Sequence, residues 1–340
     1  MMPLLILDDL NATFHIAAGD VQAVRGLSLQ LEEGESIGIV GESGSGKSAA
    51  MLSVMGLLPA TCEVSARSIV FNNIELTRIG RRDLRKLLGK DIGMVFQDPM
   101  TSLNPLYTIG SQLTESLRLH LRYTPRQARE RALELLRMVE IPSPETRLKQ
   151  YPYELSGGMR QRVMIASAIS CNPKLIIADE PTTALDVTIQ AQILDLLMSL
   201  KQKLNVSIVL ISHDLGVITS LCRRILVMYG GMMVETGTTR EVFYDARHPY
   251  TWGLLRSRPS GSPQTQSADG ARGRLVSLPG APPDMLHPPP GCPFAPRCPH
   301  AMRICNEYIP PITDFSSTHA AACHLVYANA RLPKKEASHG

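Results

Sequence analysis

The amino-acid sequence predicts an α/β protein in which helices cover a parallel β-sheet. Apolar runs of strand length at residues 175–178 and 207–211 alternate with helical patterns between about residues 155 and 255. Such alternation is typical of parallel sheets, whose strands are buried on both faces. A third apolar run, residues 36–40, leads directly into a glycine-rich loop. Polar residues therefore follow the strands at the sheet edge where α/β proteins bind ligands.

The glycine-rich loop predicts a nucleotide phosphate site. Residues 41–48, GESGSGKS, match the pattern GxxxxGK[ST] between a strand and a helix. The glycines let backbone N–H groups converge on phosphate oxygens, and the following helix start adds a partial positive charge. A chance glycine-rich turn is the alternative, and the strand before the loop argues against it. The expected ATP- and Mg²⁺-binding residues here are Gly41, Ser43, Gly44, Gly46, Lys47 and Ser48.

Two carboxylates follow the apolar run at residues 175–178. Asp179 is expected to hold Mg²⁺, and Glu180 to orient or deprotonate the water that attacks the γ-phosphate. Paired carboxylates at a strand end can also be simple solvated charges. That alternative is weak beside an intact phosphate loop.

The sequence LSGGM at residues 155–159 precedes a helix that we predict from residue 160 to about 171. Ser156 is a suitable helix cap, and Gly157 and Gly158 leave the first N–H groups open to an anion. Here the chain resembles the ATPases of ABC transporters, which carry this signature loop. The resemblance implies that these three residues contact the ATP of a partner subunit. Spacing alone leaves an ordinary capped helix open.

Further sequence motifs match the same family and occur in the same order along the chain. The resemblance makes Gln97 a sensor of Mg²⁺ and the attacking water, and His213 a γ-phosphate contact. It makes Ala184, Leu185 and Asp186 the loop that crosses the dimer interface. Phe14 is the candidate for stacking on adenine, although an apolar residue near the N-terminus is also an ordinary core residue. Catalysis is thus expected from Glu180, His213 and Gln97.

The resemblance also implies a domain plan. Residues 1–255 would form a P-loop NTPase, with a RecA-like parallel core, an antiparallel β subdomain and a helical ABC signature subdomain at about 98–170. Residues 256–291, rich in Pro, Gly and Ser, read as a linker. Residues 292–330 would form a small cysteine-rich C-terminal extension.

Several segments resemble a narrower branch, the ATPases of peptide importers. These segments are FQDPMTSLNP at 96–105, DEPTTALDVTIQAQ at 179–192 and HPYT at 248–251. The branch implies ATP-driven uptake of di- or oligopeptides, with two membrane permease subunits, a periplasmic or extracellular binding protein and a second ATPase subunit, expected to be a paralogue. Residues 100–107 are the candidates for permease contact. An importer for nickel, glutathione or another solute is the alternative, and a soluble non-transport ABC ATPase is a weaker one.

The C-terminal segment contains four cysteines, with the spacing C-x5-C-x6-C-x17-C. Peptide-importer ATPases carry a similar tail, and four thiolates can fold a core-poor segment around a metal centre. Zinc sites usually show two tighter cysteine pairs, so the wide intervals favour a [4Fe–4S] cluster. Zn²⁺ and unligated thiols stay open as alternatives. The predicted ligands are Cys292, Cys298, Cys305 and Cys323.

Composition excludes some other classes of function. The balance of 35 basic to 31 acidic residues is too even to indicate a nucleic-acid-binding surface. No run of eighteen apolar residues predicts a membrane span, and Asp8 and Asp9 interrupt the apolar start, which argues against a secretory signal. We therefore expect the chain to stay in the cytoplasm, and the resemblance to importer ATPases implies a peripheral position on the cytoplasmic face of the inner membrane.

Overall fold

The fold is built from two β-sheets and the helices that flank them. The computed structural model describes residues 3–183, 185–257 and 278–329. The strands are β1 (Leu5–Ile16), β2 (Gly19–Leu31), β3 (Ser36–Val40), β4 (Cys62–Ser65), β5 (Ser68–Phe71), β6 (Ile74–Glu75), β7 (Ile92–Val95), β8 (Leu175–Asp179), β9 (Ser207–Ser212), β10 (Arg224–Tyr229), β11 (Met232–Thr238), β12 (Ile312–Asp314) and β13 (Ala320–Ala322).

The helices cluster in three stretches of the chain. They are α1 (Lys47–Val54), α2 (Arg81–Leu87), α3 (Pro99–Ser102), α4 (Ile109–Leu121), α5 (Pro125–Met138), α6 (Pro144–Arg147), α7 (Gly157–Ala168), α8 (Val187–Leu204), α9 (Leu215–Leu221), α10 (Thr239–Tyr244), α11 (Pro249–Arg256), α12 (Arg303–Glu307) and α13 (His324–Asn329). Helices α3 to α7 lie between β7 and β8 in the chain, so they form a helical insertion into the larger sheet.

The smaller sheet is antiparallel, with the order β2-β1-β5-β6 and β4 paired to β1. Its strands alternate between core and solvent. In β2, for example, Leu27, Leu29 and Leu31 are buried, whereas Ser28 and Gln30 are exposed. This alternation is expected of a sheet with one face on the core.

The larger sheet has the order β12-β13-β11-β10-β3-β9-β8-β7. Its β10-β3-β9-β8-β7 part is parallel. Strands β3, β8 and β9 are buried along their whole length, which explains their continuous apolar sequences. Their carboxyl ends meet at one edge, and that edge carries the phosphate loop, Asp179 and the residues just after β9.

Helix starts follow local capping rules. The predicted start of α5 is confirmed, because Thr124 and Gln127 form a reciprocal capping box before Pro125. The predicted start of α7 at residue 160 is wrong. The Ser156 hydroxyl accepts a hydrogen bond from the Met159 N–H, so the helix begins directly after that cap, at Gly157, and ends at Ala168.

The described part of the C-terminal segment joins the larger sheet. Strand β13 pairs with β11 through Glu235–Ala321 and Thr236–Ala320, and β12 pairs with β13. Within the predicted linker, residues 258–277 lie outside the described residues. Residues 278–291 contain no helix or strand but pack on the smaller sheet, for example through the hydrogen bond from Gln22 N–H in β2 to the Met285 carbonyl.

Candidate active site

Two glycines of the phosphate loop lie where a side chain cannot. A Cβ on Gly41 would come within 2.2 Å of the Met228 carbonyl oxygen, and one on Gly46 within 2.2 Å of the Ala23 carbonyl oxygen. Gly46 also has a φ of +97°, which L side chains rarely adopt. The loop between β3 and α1 is thus shaped by backbone contacts with neighbouring strands.

Lys47 lies under this loop and is buried. Its ammonium donates hydrogen bonds of 2.8 Å to the carbonyls of Gly41 and Glu42. Burial lowers the pKa of Lys47, while the carboxylates of Glu180 and Asp179 oppose that shift. The ammonium is positioned where a phosphate oxygen can replace the two carbonyls as its acceptor.

The loop borders an open cavity of about 760 Å³, which is within the usual size range of small-molecule sites. Three other polar side chains also border this cavity, namely Gln97 after β7, Glu180 after β8 and His213 after β9. Parallel strand ends therefore bring Glu180 next to Gln97 and His213, which are 83 and 33 positions away from it along the chain. The loop residues at the cavity are Glu42, Ser43, Gly44, Gly46, Lys47 and Ser48.

Asp179 and Ser48 are in direct contact. The Ser48 hydroxyl donates to the Asp179 carboxylate at 2.8 Å, across 131 positions of sequence. Burial raises the pKa of Asp179, whereas the Ser48 hydroxyl and the Lys47 charge lower it. A hydroxyl and a carboxylate side by side are the hard oxygen ligands that Mg²⁺ prefers beside a phosphate.

The Glu180 carboxylate is held by three side chains. Thr183 Oγ1 donates to Oε2 at 2.8 Å, Gln97 Nε2 contacts the same oxygen at 3.2 Å, and His213 Nδ1 lies 3.1 Å from Oε1. Glu180 has a φ of +45°, an uncommon conformation outside glycine that often marks functional positions.

The electrostatics of Glu180 keep it ionised. Burial raises the pKa of the carboxyl, but the hydrogen bonds with Thr183 and His213 and the charge on Lys47 leave it below its usual value. A charged oxygen pair therefore faces the cavity beside the phosphate loop, where it can orient a water molecule.

The signature and D-loop residues lie away from this cavity. Ser156 is exposed at the start of α7, and neither it nor Gly157 or Gly158 borders the cavity. Asp186 caps α8 through the Ile189 N–H at 2.9 Å and is exposed. Ala184 lies outside the described residues. The chain's own phosphate loop and its LSGGM loop thus form two separate surfaces.

Comparisons with known proteins decide the family. Residues 24–183 match the "ABC transporter" family model, and residues 234–305 match "Oligopeptide/dipeptide transporter, C-terminal region". The oligopeptide transport ATP-binding protein OppD of Bacillus subtilis (strain 168) is 49% identical, over 98% of this chain and 91% of its own length. The dipeptide transport ATP-binding protein DppD of Escherichia coli (strain K12) is 46% identical, over 98% of this chain and 99% of its own length. The chain belongs to the family of ABC transporter ATP-binding proteins.

Solved structures agree with this assignment. The ATP-binding cassette MJ0796, solved as a dimer in a post-hydrolysis state with ADP and Pi, has a TM-score of 0.62 and 32% identity. The match spans 69% of this chain and 99% of the solved chain. This ABC protein is therefore an ATPase with the ABC cassette fold. No helix in its described part combines the length and apolar character needed to cross a lipid bilayer.

Sequence reasoning missed part of the cavity beside the phosphate loop of this ABC protein. Ala23, Leu254, Ser257 and Leu278 also border it, and the last two lie in the predicted linker. No local pattern marks them, because chain segments far apart in sequence bring them there. Phe14 is half-buried in β1, paired with Val21 and Cys62, and does not border the cavity. Its stacking on adenine stays a prediction.

The four C-terminal cysteines of the ABC protein border one small, partly enclosed cavity of about 10 Å³. Within residues 3–183, 185–257 and 278–329, no group of three or more His, Cys, Asp or Glu is arranged to hold a metal ion. Burial raises the pKa of the Cys292 thiol to about 12, with the neighbouring cysteines adding to the shift.

Two buried histidines also border this cavity, and each has a ring nitrogen without a hydrogen-bond partner among the described residues. His248 Nδ1 accepts from the Tyr250 N–H at 3.1 Å, which leaves Nε2 unpaired. His324 Nε2 donates to the Tyr308 carbonyl at 2.9 Å, which leaves Nδ1 unpaired. A buried ring nitrogen without a partner costs free energy, so these two nitrogens are the unsatisfied polar atoms of this cavity lining.

Proposed function

We propose that this chain is the ATP-hydrolysing subunit of a bacterial importer for di- or oligopeptides. The single observation that carries the hydrolytic part is Glu180, held by Gln97, Thr183 and His213 at the edge of the phosphate-loop cavity. The peptide part is supported by near full-length similarity to proteins named for oligopeptide and dipeptide transport, and by the matching C-terminal region.

The proposed mechanism assigns each group one task. Lys47 and the loop amides neutralise the β- and γ-phosphates, and Ser48 and Asp179 hold the Mg²⁺ of the substrate. Glu180 aligns a water in line with the γ-phosphate, with Gln97 and His213 fixing the carboxylate. Phosphoryl transfer to water needs such positioning and charge neutralisation more than covalent help from the protein.

A second ATPase subunit completes the proposed site. Because Ser156, Gly157 and Gly158 do not border the chain's own cavity, they are free to close on the γ-phosphate held by a partner. Asp186 and its neighbour Val187, 81% exposed, are positioned at the start of α8 for the same interface. ATP would then favour the closed dimer, and hydrolysis would release it. We expect the partner to be a paralogue.

The proposed docking site for a permease subunit is the segment 100–107. Met100, Leu106 and Tyr107 expose 58%, 79% and 55% of their surface, whereas Leu103 is buried and only seals the helical subdomain. Exposed apolar side chains beside Gln97 suit a cytoplasmic permease helix, and they couple it to the ATP site. In this proposal the chain lies peripherally on the cytoplasmic face of the membrane, and the solute-binding protein acts through the permeases.

Reconstitution tests this function. The chain is co-purified with its permeases, its subunits are identified, and ATP-dependent uptake of a labelled dipeptide and a labelled pentapeptide is measured in proteoliposomes. Peptide-stimulated ATP hydrolysis that E180Q abolishes would support the proposal. Uptake of nickel or glutathione with no response to peptides would show that the transported substrate is not a peptide. ATP hydrolysis by a chain that co-purifies with no membrane protein would refute the transport role.

We further propose that Cys292, Cys298, Cys305 and Cys323 hold a [4Fe–4S] cluster. The cavity that all four border, and the unpaired nitrogens of His248 and His324 beside it, support this. The cluster would cross-link a core-poor segment. Iron and acid-labile sulfide are assayed after anaerobic purification, with C298S as the test variant and C62S as the control. A colourless protein with stoichiometric Zn²⁺ would refute the cluster.

A further inference from the structure

A buried arginine of the cysteine-rich segment is paired with the phosphate loop. The Arg297 guanidinium forms a two-pronged ion pair with Glu42, at 2.7 Å from Nη1 to Oε2 and 3.0 Å from Nη2 to Oε1. The Arg297 side chain is only 5% exposed. Glu42 is the second residue of the loop GESGSGKS, 255 positions away in sequence.

The arginine is fully engaged in this position. Its other N–H groups donate to the Tyr229 hydroxyl at 3.0 Å, the Pro279 carbonyl at 2.8 Å and the Leu278 carbonyl at 3.3 Å. Every one of the five guanidinium N–H groups thereby has an acceptor. The ion pair with Glu42 raises the pKa of Arg297, so the charge persists at any physiological pH. The fixed fork of arginine suits such a site, and lysine would leave acceptors unpaired.

Glu42 is fixed from three directions. Its carboxylate is held by Arg297, its N–H donates to the buried Tyr250 hydroxyl at 2.8 Å, and its carbonyl accepts from Lys47 at 2.8 Å. When a phosphate takes Lys47 away, the first two contacts remain. The loop then keeps its shape without help from the lysine, and less ordering entropy is lost on binding.

We propose that Arg297 is a positioning residue that keeps the phosphate loop of its own chain in the form that binds ATP. The cysteine-rich segment would thereby be part of the nucleotide site, since Arg297 directly precedes Cys298. This inference goes beyond the proposed transport function, and it concerns ATP binding whether or not a cluster is present.

The test compares R297Q, E42Q and the double variant in the full-length chain. R303Q is the matched control, because Arg303 lies in the same segment but is 93% exposed. ATP affinity is titrated with a fluorescent nucleotide, kcat and KM are measured on the assembled transporter, and thermal unfolding is recorded alongside. We expect each single variant to weaken ATP binding about tenfold, the double variant to be no weaker than either, and kcat to change less than about twofold.

The outcomes separate positioning from mere stability. A lowered unfolding midpoint with ATP affinity unchanged would overturn the proposal, and so would additive losses in the double variant. If R297Q fails to fold, E42Q still decides, since it removes one charge but keeps the side-chain shape. Failure of the wild type to bind ATP would overturn the ATP site itself, whereas wild-type binding with unaffected variants overturns this inference alone.

Discussion

Replacing Glu180 by glutamine isolates the role of one negative charge. The three neighbours of the carboxylate stay satisfied, because an amide oxygen accepts from Thr183 and Gln97 and the amide N–H₂ can donate to His213 Nδ1. The substitution therefore removes the charge and the proton acceptor but keeps the packing. General-base or water-orienting groups contribute about 10²- to 10⁴-fold, or roughly 3 to 5 kcal/mol of activation free energy.

We therefore expect Glu180→Gln to lower the ATP turnover of the assembled transporter by about 10²- to 10⁴-fold. ATP binding should persist or tighten, because the carboxylate no longer repels the γ-phosphate. Single-turnover hydrolysis and nucleotide titration measure the two effects separately, with the exposed Glu130→Gln as control. Wild-type turnover would show that another group activates the water, and a parallel loss of ATP binding would show that Glu180 supports the loop instead.

Three further predictions address the rest of the molecule. Lys47→Ala should weaken binding of a fluorescent ATP analogue at least about tenfold, since it removes the cation beneath the loop; undiminished affinity would contradict the phosphate-loop assignment. The second prediction concerns Glu241. Burial raises the pKa of its carboxyl, but hydrogen bonds with Thr238, Ser316 and Thr318 outweigh this effect and lower the pKa to about 2. Because that value is below the usual 4.5, the stability this gives is complete above about pH 4.5 and is lost as pH falls through 2. Glu241→Gln should therefore lower the thermal midpoint at pH 7 more than at pH 2.5, and an equal loss at both would refute this. Leu106→Glu should reduce co-purification with the permeases while Glu130→Gln does not, and intact assembly would exclude segment 100–107 as the contact.

The sequence predicts local features of this fold well. The phosphate loop, the Thr124 capping box and the apolar strands follow from neighbouring residues, so their patterns are complete within about ten positions. The edge that carries the candidate site is also predictable, because parallel strands end together and each predicted polar residue outside the phosphate loop lies at the end of such a strand or within two positions after it. The predicted start of α7 is three residues too late. The error is small, because Ser156 is recognisable in the sequence as a helix cap and α7 begins directly after it.

Long-range contacts are where sequence reasoning stops. No pattern links Arg297 to Glu42, or strand β13 to β11, since these pairs are joined by packing and not by spacing. The described part of the C-terminal segment looked like an appendage in sequence because it is poor in apolar runs. In the structure its hairpin extends the larger sheet and its arginine reaches the phosphate loop.

The lowered pKa of Glu180 bears on how water is activated. A carboxylate with a pKa below its usual value is a weak proton acceptor, so in this state Glu180 is better suited to orienting water than to deprotonating it. Under the proposed mechanism, bound ATP would bring negative charge next to the carboxylate and engage Lys47, and both effects would raise the pKa of Glu180. Closure by a partner's LSGGM loop would exclude water and raise it further. We therefore propose that Glu180 becomes an effective base only after the nucleotide and a second subunit are in place, which would tie hydrolysis to the assembled state.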